Sequence, residues 1–150
     1  MIIKLNDFIN KNLITEMTFN VLRGIKKDGI NATYGGVSDD GIGSFYTDNL
    51  IMAKWFAGLT EYDANIDAYV DKENIGEVTS NKITLNNPYI INSSDEDYDS
   101  VQVYFDEIKN IGDVQKYKAS LIKQGYDGII LNNCTTNYYE ENTYTVYIVF

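Results

Sequence analysis

The chain of 150 residues contains no histidine, one cysteine (Cys134), one proline (Pro88) and one arginine (Arg23). Without histidine there is no Ser-His-Asp or Cys-His nucleophile, no imidazole proton shuttle and no histidine-containing metal site, so metal chemistry would have to be all-oxygen. A single cysteine excludes an internal disulfide and a cysteine-rich zinc site. Nothing therefore ties the chain to an oxidising compartment, and a reducing cytoplasm is the expected setting. No stretch approaches the ~20 apolar residues that span a bilayer, and the opening MIIKLNDFINKN is broken by Asn and Asp before a secretory apolar segment develops. The expectation is a soluble protein with no membrane partner.

Positive charge is also scarce, with 22 acidic against 12 basic side chains and a formal charge of −10 at pH 7. Affinity for a phosphate backbone comes mainly from Lys and Arg displacing counterions, so this balance argues against a non-specific nucleic-acid binder. The length fits one domain, residues 1–150, large enough to bury a core of its own.

What is present reads as an α+β chain, with strands at both ends and helices mainly in the middle. Residues 18–25 (TFNVLRGI) suit a strand running into a turn, and the Gly-, Asp- and Ser-rich residues 28–43 read as a loop. In SFYTDNLIMAKWFAGL, Thr47 or Asp48 can cap a helix that Gly58 stops. Residues 75–91 read as strand, turn and strand around Asn86-Asn87-Pro88, and the acidic run 92–100 as a solvated loop leading into a helix. Helices are expected over about 98–111 and 113–124, the second ending at Gly125. YDGIILNN and TYTVYIVF read as strands, joined by a hairpin loop through NNCTTNYYEEN. Asp127 reads as a turn-former before a buried strand, and Tyr138, Tyr139, Tyr144 and Tyr147 as sheet surface and core.

Arg23 stands out because eleven of the twelve basic residues are lysine. Where arginine is kept, either its planar fork grips phosphate or carboxylate bidentately, or it makes a surface ion pair. Gly24 beside it would let a ligand approach the backbone closely. Residues 41–48 (GIGSFYTD) put small residues, a hydroxyl and two aromatics, Phe45 and Tyr46, at a helix start, where orphan N–H groups suit an anion and a ring can stack on a flat heterocycle.

Taken in order, VLRG at 21–24, GIGSFYTD at 41–48, AKWFA at 53–57, GYDGIIL at 125–131 and the closing VYIVF resemble the ADP-ribosyltransferase fold, closest to the small domains of phage and polyvalent toxin proteins. The resemblance covers nearly the whole chain in short motifs. It implies a split pair of small sheets flanked by helices, with NAD bound in a cleft between them. Arg23 would contact phosphate or ribose, and the Gly24 backbone would pair with the nicotinamide carboxamide. Phe45, Tyr46 and Thr47 would frame the nicotinamide, and Phe56 or Trp55 would form the second wall of the slot. Family members usually carry Glu, Gln or Asp where this chain has Val146. That group stabilises the oxocarbenium-like transition state. Glu140 or Glu141 could replace it from the preceding loop, Asn132 or Asn133 from the neighbouring strand, or catalysis could be reduced.

The implied activity is an NAD-dependent mono-ADP-ribosyltransferase acting on a protein acceptor, and the implied setting is a phage-encoded protein aimed at a host defence or transcription protein. The alternative is a catalytically reduced binding protein on the same scaffold, an acidic inhibitor of a host complex. A third option is NAD hydrolysis without transfer.

Overall fold

A computed structural model describes residues 16–26, 33–34, 37–72, 76–95, 98–135 and 143–150. Its strands are β1 (Met17–Lys26), β2 (Thr33–Tyr34), β3 (Val37–Ser38), β4 (Ser44–Thr47), β5 (Thr60–Asp63), β6 (Ala68–Asp71), β7 (Gly76–Leu85), β8 (Pro88–Asn92), β9 (Ser94–Asp95), β10 (Tyr98–Asp99), β11 (Gly128–Thr135) and β12 (Thr143–Val149). The helices are α1 (Asp39–Ile42), α2 (Leu50–Phe56), α3 (Ser100–Ile111) and α4 (Val114–Lys123). This is the α+β arrangement expected.

Six strands form one sheet in the order β7-β1-β4-β12-β11-β8. Strands β1 and β7 pair antiparallel along their whole length, from Met17 opposite Leu85 to Lys26 opposite Gly76. β1 meets β4 in register only at Leu22 opposite Thr47. If the sheet were flat, β7 would lie four strand spacings, roughly 19 Å, from β11. Instead, a Cβ built on Gly128 of β11 would come within 2.6 Å of Leu85 Cδ2 of β7. The β1–β7 ribbon is therefore folded across one face of the four strands β4, β12, β11 and β8. Val21, Ile83 and Leu85 of the ribbon pack there on Ile130 and Tyr147.

The other face carries the helices and the larger core: Phe45, Ile91, Ile129, Leu131, Val146 and Ile148 from the strands meet Phe56 of α2, Tyr104 of α3 and Tyr117 and Leu121 of α4. The three longer helices, α2, α3 and α4, each start on a side-chain cap that takes up orphan N–H groups. Asp99 accepts from Val101 N and Gln102 N at 3.1 Å, and Asp113 from Lys116 N at 2.8 Å. The tight Asn86-Asn87 link between β7 and β8 is held by the Asp127 carboxylate, which accepts from Asn86 N at 2.6 Å and Asn87 N at 3.0 Å. That is the turn role expected of Asp127. Tyr144 and Tyr147 are buried; Tyr138 and Tyr139 lie outside the described residues.

Three local expectations are corrected. The cap of α2 is Asn49, whose Oδ1 accepts from Met52 N at 3.0 Å. Thr47 and Asp48 are turned toward β12 instead. Residues 28–43 contain β2, β3 and α1. The Asn-rich segment expected as hairpin loop begins as strand: β11 continues through Asn132, Asn133 and Cys134 to Thr135, with a bulge after Leu131.

Candidate functional site

Alternation along a strand sends neighbouring side chains to opposite faces, and this sorts the candidate residues. On the ribbon side, the Arg23 guanidinium lies over the Tyr46 ring, 5.3 Å from its centroid. This is cation–π distance, and it fixes a planar cation against an aromatic wall. Tyr46 stands in register with Tyr147 of β12, whose ring is 4.7 Å from that of Phe19. Tyr46 lies beneath the cation, and Tyr147 and Phe19 continue the aromatic surface beside it. Arg23 and Tyr46 are both half-buried.

On the helix side sit Phe45, Thr47, Trp55 and Phe56. Phe45 and Phe56 are in the core with ring centroids 6.3 Å apart, and Trp55 packs on Phe56 at 5.6 Å. The sheet therefore separates Tyr46 from Phe56 and Trp55, so the three do not form two walls of one slot. The Thr47 hydroxyl is fully buried, donates to Thr145 O at 2.9 Å and accepts from Asn49 N at 3.2 Å. It serves as a cross-strand tie. The start of α2 is taken as well, since the Asn49 side chain fills the Met52 N–H.

Gly24 lies under α2. A Cβ there would come within 2.0 Å of Ala53 O, 2.7 Å of Ala57 N and 3.0 Å of Phe56 Cβ. Gly76, in register with Lys26, meets Ala57 O in the same way. These two glycines let α2 rest directly on the β1–β7 ribbon. The approach to Gly24 from the helix side is thereby closed, and the residue is buried.

Val146 is completely buried, between Thr47 of β4 and Leu131 of β11, and faces the helix core. Asn133 adopts a positive φ of 58° at the bulge and donates from Nδ2 to Asn92 Oδ1 at 2.7 Å, beside the start of α3 and away from Arg23. Asn132 gives its carbonyl to the buried Ser100 hydroxyl there. Glu140 and Glu141 lie outside the described residues.

Two features were missed by sequence reasoning. Asp48, read only as a helix cap, uses Oδ1 to accept from Thr145 N at 2.9 Å. It lines a cavity of about 500 Å³ together with Asn20, Leu22 and Lys82. The Thr-Asp-Asn run before an apolar helix offers several cap choices, and nothing local ranks them. The second is Glu107 of α3, whose two oxygens accept from the Tyr89 hydroxyl at 2.8 Å and the Tyr117 hydroxyl at 2.7 Å. Burial, and then the Glu107 carboxylate, push the Tyr89 hydroxyl up to about 12. Tyr117 is raised for the same reasons, and burial alone raises Tyr104. Through Glu107, the Tyr89 and Tyr117 hydroxyls act as struts between β8, α3 and α4.

Among the described residues, no three His, Cys, Asp or Glu side chains gather into a metal-holding group. No helix among them is long and apolar enough to cross a membrane. Comparison of the chain with protein families, with curated proteins and with solved structures finds no match.

Proposed function

We propose that the chain is an NAD-dependent mono-ADP-ribosyltransferase that modifies a protein acceptor. The observation that carries this reading is the Arg23 guanidinium stacked on Tyr46 next to the one registered pair that joins β1 to β4. The six long strands form one sheet rather than a split pair, and the reading takes the single registered pair between the β1–β7 ribbon and β4 as the junction at which a cleft lies.

In this reading NAD is the substrate. Arg23 binds its diphosphate or ribose through a fork that Tyr46 holds flat, and planar bidentate contacts give geometric fixation that an ammonium lacks. The nicotinamide approaches the Gly24 backbone in the plane of the strand, because α2 covers the other approach. Phe45, Trp55, Phe56 and Thr47 act at one remove: they seat α2 and tie β4 to β12, and so fix the edge along which Arg23 and Gly24 are presented. The charge of −10 favours a protein acceptor over nucleic acid.

The test is incubation with NAD and a bacterial lysate, followed by mass spectrometry for ADP-ribose adducts and nicotinamide, with Arg23→Ala in parallel. Adducts that disappear with Arg23→Ala support the reading. Absence of adduct, nicotinamide release and calorimetric NAD binding refutes it. A second reading, an acidic binding protein without turnover, is favoured by the burial of Val146 where an acid is expected. NAD binding without nicotinamide release would select it. Free ADP-ribose without modified protein would point to hydrolysis.

A further inference from the structure

Alternation along β1 divides its residues between the two faces of the ribbon, with Val21 and Arg23 on one and Asn20, Leu22 and Gly24 on the other. Cross-strand register sets Lys82 opposite Asn20 and Ser80 opposite Leu22, so these two residues of β7 share the Leu22 face. At its Gly24 end that face is covered by α2, whose backbone at Ala53 and Ala57 closes over the glycine. Further along, Leu22, Asn20, Ser80 and Lys82 line a cavity of about 500 Å³, together with Asp48 just before α2. Arg23, Gly24 and Tyr46 are not in the lining, so the cavity is separate from the proposed NAD contacts.

The polar groups of this cavity lack partners. Asn20, Ser80 and Lys82 are exposed, and among the described residues their side chains make no hydrogen bond or ion pair. Asp48 is held in place by β12: its Oδ1 accepts from Thr145 N at 2.9 Å, and its own N–H donates to Thr145 O at 3.4 Å. No donor among the described residues reaches its Oδ2. A carboxylate and an ammonium thus face one space without pairing with each other.

Their spacing narrows the ligand. Asp48 follows Thr47, the β4 residue opposite Leu22, whereas Lys82 lies on the other neighbour of β1. The two charges are therefore mounted two strand spacings apart, roughly 10 Å. An extended chain advances ~3.3 Å per residue, so the termini of a peptide of about three residues match that span. No aromatic ring lines the cavity, which leaves a nucleobase nothing to stack on. A phosphate group would meet the Asp48 charge beside a single ammonium.

We propose that this groove binds a short extended peptide with free termini. The peptide ammonium bonds to Asp48 Oδ2 and its carboxylate to Lys82 Nζ. Asn20 and Ser80 meet the peptide groups between, above the Leu22 side chain. The site does not depend on the transferase reading.

The experiment titrates trialanine, its N-acetyl form and its C-terminal amide into the full chain, Asp48→Asn and Lys82→Met, followed by calorimetry. Asparagine keeps an oxygen for the Thr145 N–H, so β4 stays tied to β12. Trialanine should bind the parent, and acetylation or amidation should each weaken it about fivefold, the upper worth of an exposed ion pair. In Asp48→Asn the acetylated and free peptides should bind alike. In Lys82→Met the amidated and free peptides should bind alike. The proposal is overturned if trialanine does not bind the parent at millimolar concentration, if blocking either terminus costs nothing, or if the penalties persist unchanged in the variants. Should Asp48→Asn lose its circular-dichroism signal, the exposed Lys82→Met decides through the amide comparison.

Discussion

The two faces of the central sheet hold nearly the same residue types and do different work. On the helix side, Phe45, Val146 and Phe56 are at most a few per cent exposed and Thr47 is fully hydrogen-bonded. On the ribbon side, Tyr46, one position along β4 from Phe45, and Arg23 of β1 stay half-exposed. Three consecutive residues, Phe45-Tyr46-Thr47, are thus divided core, site, core. The difference teaches that a dense cluster of candidate residues in sequence is not a cluster in space. The period of the strand assigns every second one to packing, and the proposed site is on the face that carries Arg23 and Tyr46.

The sharpest way to break this comparison is to put an acid on the dry face. Val146→Glu is expected to destabilise the fold by about 4 kcal/mol, because an unpaired carboxylate would enter a sealed core, and not to raise nicotinamide release above the parent's. Urea unfolding monitored by circular dichroism checks the first part. Gly24→Ala comes next, at about 3 kcal/mol, since the new methyl would overlap the backbone at Ala53 and Ala57 and lift α2 from the ribbon. On the ribbon face the expectation reverses. Arg23→Lys should lower stability by only about 0.5–1 kcal/mol, the worth of the Tyr46 contact, while NAD affinity falls by about tenfold or more. Equal losses of stability and affinity would erase the distinction between the faces.

Two smaller effects sharpen it. The Tyr89 hydroxyl is raised from 10.0 to about 12, so it stays protonated in the folded chain where the unfolded chain ionises. Its contribution is therefore fully present below pH 10 and is lost as pH rises toward 12. Melting temperature followed from pH 8 to 12 should fall in that window, and less steeply in Tyr89→Phe. Asn133→Gly should change stability by less than about 1 kcal/mol, as relief of the positive φ offsets the lost bond to Asn92, and should leave NAD binding untouched. A marked loss of binding would return Asn133 to the candidate site.

Several elements were legible before any coordinates. Both long helices lie close to where periodicity puts them, because Asp99 and Asp113 are caps of a strongly preferred type and Gly112, at a φ of 110°, ends the first. Strands β7 and β8 flank Asn86-Asn87 as expected, yet they lie at opposite ends of the strand order. Only the Asp127 carboxylate, about forty residues along the chain, shows how that link is held. The cap of α2 was misassigned because Thr47, Asp48 and Asn49 are all good caps, and the choice among them is made by Thr145 in β12. Arg23 was legible from composition. Tyr46 as its partner depended on β1 lying beside β4.

The sequence by itself determined the α+β class, the positions of α3 and α4, the exclusion of histidine chemistry and the singular place of Arg23. These follow from composition and from local periods and caps, which act within a few residues. The tertiary structure alone decided that Gly24 lies sealed beneath a helix, that Val146 belongs to the core, and that Asp48 ties β4 to β12. Each depends on which strands become neighbours, and that is set by burial of the two cores across contacts distant in sequence.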